Sequence, residues 1–424
     1  MKRVGIIGVA LIAASLLGIL LLAWVARWLP PDENAAFIAL WGVLFAGGSA
    51  LSLVEQETAR QTALAHSRGQ NPPASIWQLN LVALGFAWMV LLLVGVTPGG
   101  AVLFGSDTSE SRTSSFHWIT LAVLAFAYLG FVAQFSMRGL ALGSRREGIY
   151  AVILVAEPVL RLLGLLPFAI WLTAPSLLWA LVATALGSYG WIVALGRLRV
   201  HPFAPDSREP WRTVAGRVLT LGAANALLAA ILTGYPALVT GLLGSSRGLA
   251  VFFAVVTLCR IPLVLLSPIQ ALVIPETTRI LAAGRAAELY TLLGKVFFAT
   301  VSVALTSFAL GWWLGPWAVA LLFGPAYVAP GWLVAVILAA TVVLGAALLQ
   351  AAVFVSLQKY LYAVLTWAVT LAGTVAALWG TPGEALSRGT AGFVAASLLG
   401  YLLSALLLRF ALGRLGREQV ANHG

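Results

Sequence analysis

Charge is scarce in this chain: 9% of its 424 residues are Asp, Glu, Lys or Arg, against 61% hydrophobic. A soluble domain carries about 25% charged residues, so a water-exposed surface of ordinary size is excluded. The single cysteine, Cys259, rules out an internal disulfide. Four histidines are scattered through the sequence and form no metal-ligating spacing with it. P-loop, HExxH, nucleophile-elbow and dinucleotide fingerprints are all missing. No catalytic residue, metal or cofactor is expected, and the sequence does not read as an enzyme.

Long apolar runs fill the space that charge leaves. Twelve are read as membrane spans: 4–27, 35–56, 77–97, 117–138, 148–172, 176–196, 217–243, 248–274, 294–314, 330–355, 360–379 and 389–411. The expected class is therefore an all-α integral membrane protein of about 12 transmembrane helices. Lys2 and Arg3 followed by an apolar run suggest a signal peptide, but Val4 to Ala26 is long enough to span and is read as a retained first helix. Polar or Gly/Pro-rich joints separate the runs, among them Pro30-Pro31-Asp32-Glu33 and Thr381-Pro382-Gly383-Glu384. Residues 315–329, apolar but short and holding Pro316 and Pro325, are expected to be an outer interfacial turn or half-helix, with a continuous span through them as the alternative that would alter the count.

Net charge is +11 and the pI is near 10.4. These basic residues lie between apolar runs, which fits loops held against an anionic leaflet and not nucleic-acid binding. With the N-terminus cytoplasmic, nineteen of the 25 Lys and Arg fall on the inner side. Arg27, Arg112, Arg247 and Arg388 fall outside, and Arg161 and Arg260 fall within spans. The bias recurs loop after loop, so both termini are expected in the cytoplasm. The longest inner connection, 197–216, divides the chain into an N-terminal six-helix bundle (1–196) and a C-terminal one (217–424). Two equal halves suggest a duplicated transporter around a central cavity.

Arg161 and Arg260 lie roughly 18–20 Å from the near membrane surface, at 1.5 Å per helical residue. An Arg facing lipid at that depth costs about 2.5 kcal/mol or more, so both should face the bundle interior, a wet cavity or an acid. Glu157 precedes Arg161 by four residues on one helix face. The two can neutralise each other, and such a pair is compatible with lining a cavity. Arg260 has no acid within a helical turn and reads as a cavity cation. Pro262 and Pro268 follow it and are expected to kink the eighth span. Glu57 and Arg60, spaced i,i+3, can pair at the inner end of the second span.

Four stretches carry a family resemblance. They are Leu29-Pro30-Pro31-Asp32-Glu33-Asn34 with Phe37, then Glu55-Gln56-Glu57-Thr58-Ala59-Arg60. Next come Arg138-Gly139-Leu140-Ala141-Leu142-Gly143 with Tyr150, Glu157 and Arg161, and finally Leu322-Phe323-Gly324-Pro325-Ala326-Tyr327. Arg260-Ile261-Pro262 and Pro275-Glu276 add to them. In this order the chain resembles the multidrug/oligosaccharidyl-lipid/polysaccharide (MOP) exporter superfamily, on its polysaccharide-biosynthesis, O-antigen-type flippase branch. Asn34 stands where that family commonly has glycine.

The resemblance implies a MATE-like V of two six-helix bundles in the bacterial cell membrane. It also implies alternating access, with polyprenyl-pyrophosphate-linked oligosaccharide passed from the inner to the outer leaflet for cell-surface polysaccharide biosynthesis. Arg260 and Arg161 are then the expected mid-depth phosphate contacts, with Arg60 at the inner mouth and Arg27 at the outer. Glu157, Glu57 and Glu276 are the candidate coupling or charge-pair acids. Expected partners are membrane lipid, the lipid-linked sugar, and glycosyltransferases or a polymerase. Two other readings stand beside this one: a MATE-like drug or metabolite antiporter, and a non-transporting membrane scaffold for glycosyltransferases.

Overall fold

The structure, a computed structural model, describes residues 2–104, 114–170, 176–197, 209–244, 246–263, 286–357 and 359–421, with Val273, Thr277 and Ile280 between them. Among these residues every regular element is helical. They fall into two compact units, Met1–Ser245 and Ser246–Gly424.

The first unit holds α1 (Lys2–Trp28), α2 (Pro31–Leu51), α3 (Leu53–Ser67), α4 (Ser75–Gly95), α5 (Pro98–Leu103), α6 (Ser114–Gly143), α7 (Glu147–Ile170) and α8 (Leu177–Leu186). A 3-10 helix (Gly187–Ala194), α9 (Trp211–Leu232) and α10 (Tyr235–Leu243) follow. The second unit holds α11 (Arg247–Cys259), α12 (Ala286–Phe323), α13 (Gly331–Ser356), α14 (Tyr360–Gly380) and α15 (Ala385–Ala421). The expected joint at 197–216 lies ahead of the division between units, and α9 packs along α2 and α4 in the first.

Ten described helices have the length and apolarity to cross a membrane, and the bent pair Asn225–Leu232 and Tyr235–Leu243 makes an eleventh. The chain is thus a multi-pass helical membrane protein. Of the remaining expected span, 248–274, the described part is α11, a continuation to Leu263, and Val273.

Local chemistry sets several helix starts. Pro31 opens α2 with Asp32 and Glu33 in its first turn, where the proline loses no needed amide and the acids face the positive end of the dipole. Thr97, Ser176 and Ser246 cap α5, α8 and α11, each hydroxyl accepting the amide three residues on.

Two expectations need correction. The second span does not end at residue 56: after a turn at Ser52, α3 carries the helix on to Ser67. Hydropathy ends the span there because α3 is polar, while its helix is held by packing on α6. The expected sixth span is present as Leu177–Ala194, α-helical to Leu186 and 3-10 beyond it. Residues 315–329 are no separate half-helix, since α12 runs through Pro316 to Phe323. The turn is confined to 324–330, where Gly324 takes φ 101°. A proline inside a membrane helix is tolerated when a neighbour supports the backbone. Here Gly311 and Gly315 bring α12 against Ala335 and Val334 of α13.

Candidate functional site

The two arginines expected at mid-depth fall one in each unit, Arg161 within α7 and Arg260 at the end of α11. In the first, α7 packs on α8 and the 3-10 helix. A 3-10 helix has three residues per turn, so Gly187 and Gly190 share one face. That face meets α7 so closely that a Cβ at Gly190 would lie 2.8 Å from the Glu157 nitrogen, and one at Gly187 would overlap the Arg161 side chain. Only glycine leaves room there for the pair.

Arg161 and Glu157 are both buried, 5% and 9% exposed, and form an ion pair through Arg161 Nη2 and Glu157 Oε1. Arg161 Nε donates to the Thr184 carbonyl at 3.3 Å. Its guanidinium carbon sits 4.5 Å from the centre of the Phe45 ring, a cation–π distance. Gln134 Nε2 donates to the other carboxylate oxygen. The two charges thus neutralise each other. Neither residue lines the large cavity of this unit.

A second set of charges stitches helix ends of the first unit together. Glu57 accepts from Arg60 Nε and Nη2 at 2.8 and 2.6 Å, from Gln61 at 2.8 Å and from Arg217 Nη1 at 2.5 Å. Arg217 also pairs with Glu209, whose backbone exchanges hydrogen bonds of 3.0 and 3.1 Å with the Gln78 amide. The start of α9 is thereby tied to α3 and α4. Beside it, Arg138 Nε lies 3.0 Å from Glu55 Oε2. Tyr150 Oη donates to Glu55 at 2.9 Å and accepts from Arg138 Nη2 at 3.0 Å, joining α3, α6 and α7.

Arg260 differs. It caps the end of α11, two residues before Pro262, whose ring nitrogen has no hydrogen to offer the Leu258 carbonyl. Its Nη2 is buried and finds no hydrogen-bond partner among the described residues. Arg27 lies exposed in the last turn of α1. Pro268 and Glu276 lie outside the described residues. Among the described residues, no three His, Cys, Asp or Glu side chains come together as a metal site.

The i,i+4 spacing of Glu157 and Arg161 was readable, and so was the Glu57–Arg60 pair. The partners Gln134, Thr184, Phe45, Arg217 and Glu209 were not, because they arrive from other elements. The one available signal was the glycine pair three apart at 187 and 190.

No family model matches the chain. It is similar to two uncharacterised proteins of Mycobacterium tuberculosis. One is 25% identical over 389 residues, covering 87% of this chain and 83% of the other. The second is 28% identical over 376 residues, covering 85% and 81%. Among solved structures, an inward-facing multidrug resistance MATE family transporter of the MOP superfamily superposes with a TM-score of 0.67 at 17% identity, covering 95% of this chain and 96% of that one. A MOP superfamily transporter from Pyrococcus furiosus, whose binding pocket is described as reversed in polarity, gives 0.62 at 16% identity, covering 98% and 96%. The fold of this chain is therefore that of the MATE transporters.

Proposed function

We propose that the protein is an alternating-access membrane transporter that moves a polyprenyl-pyrophosphate-linked oligosaccharide from the inner to the outer leaflet. The observation that carries this reading is Arg260, at the end of the apolar helix α11, whose Nη2 is buried with no hydrogen-bond partner among the described residues. A buried polar group left unpaired is costly, and a planar fork of donors suits the oxygens of phosphate. The MATE-like fold supports the transporting half of the proposal.

The barrier to flipping is carrying sugar and pyrophosphate through hydrocarbon. A cation at mid-depth lowers it, while the polyprenyl tail stays in lipid. Arg161 and Arg60 already hold carboxylates, so they meet phosphate only by exchanging one anion for another. Such an exchange would free Glu157 or Glu57 to take up a proton, which makes those acids the candidates for coupling. Outward movement of an anion is downhill on an inside-negative potential by about 2.3 kcal/mol per charge per 100 mV, so no nucleotide motor is needed.

Drug efflux is the competing reading, and the multidrug MATE neighbours favour it. An organic cation needs an acid to meet it. The two buried acids of the first unit that the sequence singled out, Glu157 and Glu57, are both spent on arginines.

The experiment is flipping of a fluorescent lipid-linked pyrophosphate sugar in proteoliposomes. Arg260→Ala should cut the rate by about tenfold or more, the loss of one charge-assisted contact, while Arg260→Lys retains part of it. Undiminished flipping by a well-inserted Arg260→Ala protein would remove Arg260 from the route. Cation-dependent efflux of a drug without any flipping would replace the proposal with the antiporter.

A further inference from the structure

A cavity of about 430 Å³ lies inside the first unit, walled by α2, α4, α5, α6, α9 and α10. Ala46 and Gly47 of α2, Phe86 and Ala87 of α4, Ala226 of α9 and Leu238 of α10 are typical of its lining. No charged side chain contributes to it. Its size falls within the range of small-molecule sites, about 300–1,000 Å³.

The two polar side chains along this wall, Thr97 and Tyr128, are already engaged. Tyr128 Oη donates to the Val43 carbonyl at 2.9 Å. Thr97 Oγ1 donates to the Val94 carbonyl at 2.7 Å and accepts the Gly100 amide at 3.0 Å. The 71° break between α9 and α10 borders the cavity, and a broken helix often offers bare backbone groups to an ion. Here the amides of Thr233 and Gly234 both reach the Ala229 carbonyl, at 2.9 and 2.8 Å, and Leu238 N reaches the Gly234 carbonyl at 2.9 Å. The amides of Thr233, Gly234 and Leu238 are thus satisfied within the break and offer no bare donor to an anion.

Water needs two to four polar partners to occupy a cavity, and the two side-chain hydroxyls of this lining, Thr97 and Tyr128, already donate to carbonyls. An unfilled void is costly in proportion to its volume, and an apolar cavity of about 150 Å³ already takes up benzene. This one is roughly three times larger and half open, and it lies among helices whose solvent is hydrocarbon.

We propose that the cavity binds one hydrocarbon chain of a membrane lipid, with the polar head left outside the bundle. The site goes beyond the flippase reading and does not need it. The chain can come from a bilayer phospholipid, as a resident lipid, or from the isoprenoid tail of a carrier, as part of the substrate.

Photolabelling tests this on the full-length protein in lipid nanodiscs. Two probes are used separately: a phosphatidylglycerol with a diazirine at the end of one acyl chain, and a polyprenyl phosphate with a diazirine on its isoprenoid chain. Label should map to the α4 and α9–α10 segments around Phe86, Ala87 and Leu238. Ala87→Phe, which fills the cavity, should lower that label by about tenfold. Ala226→Leu, a smaller intrusion that serves if the first variant fails to fold, should lower it in the same direction. Leu93→Phe, outside the lining, should leave it unchanged. Labelling by either probe supports the site, and the probe that labels names the source. No label in these segments, or label that both filled variants leave intact, overturns the proposal. Arg260→Ala separates the two readings, because it should slow flipping by about tenfold or more without removing the label.

Discussion

Arg161 carries its charge among helices that face hydrocarbon, and Glu157 is what makes that tolerable. Removing one member of a buried ion pair leaves the other uncompensated, at a cost of roughly 3–5 kcal/mol. Arg161→Met alone should therefore lower the thermal midpoint of the purified protein sharply. The residual carboxylate would keep only Gln134 as its described donor. Replacing both members with uncharged side chains, Glu157→Gln with Arg161→Met, should recover most of the loss, since no charge then remains to be paired. Differential scanning by tryptophan fluorescence reads this directly. A double variant as unstable as the single would mean that the pair contributes more than neutralisation. The i,i+4 spacing discloses this pair in the sequence because a helix repeats every 3.6 residues. Nothing local discloses that Phe45 covers the guanidinium or that Thr184 accepts from it. Those contacts follow from how α2 and α8 pack on α7, which no spacing along one helix encodes.

Between α3 and α6 the packing is set by small residues four apart. A Cβ at Gly139 would lie 2.7 Å from Thr58 Cβ and 2.8 Å from the Glu55 carbonyl. One at Gly143 would lie 2.6 Å from Thr62 Cβ and 2.7 Å from the Ala59 carbonyl. This is the close approach that paired glycines allow membrane helices, and it delivers Arg138 to Glu55 at 3.0 Å. Gly139→Leu should push the helices apart, break the Glu55–Arg138–Tyr150 cluster and reduce the yield of monodisperse protein on size exclusion. Gly148→Leu, where a Cβ would meet nothing within 4 Å, should be silent. Equal behaviour of the two variants would contradict the tight crossing. The Gly139–Gly143 run was visible in the sequence only as part of a resemblance; its partner stripe, Thr58 and Thr62, was not. The apolar runs likewise disclosed the spans and missed the break at Thr233–Gly234 and the 3-10 segment. Hydropathy reports the transfer of side chains to lipid and is blind to which carbonyl a backbone amide reaches.

Which end of each helix faces the cytoplasm follows from charge bias alone, and a reactive thiol can test it. Native Cys259 is buried, so it gives little background to a membrane-impermeant maleimide. Gly148, exposed at the start of α7, sits beside the basic turn that holds Arg145 and Arg146. Glu384, exposed before α15, sits at a joint with little positive charge. Cationic loops are retained on the inner side during insertion and are held there by anionic lipid, at about 1 kcal/mol per basic residue near the surface. In intact cells Glu384→Cys should therefore label at once, and Gly148→Cys only after permeabilisation. The outcome bears on transport as well as topology. With this orientation the Arg60–Glu57–Arg217 cluster stands at the inner mouth, where a lipid-linked anion made in the cytoplasm would first meet positive charge, and the potential then favours its exit. The opposite labelling pattern would put that cluster at the outer mouth and leave the inner leaflet without its cationic entrance.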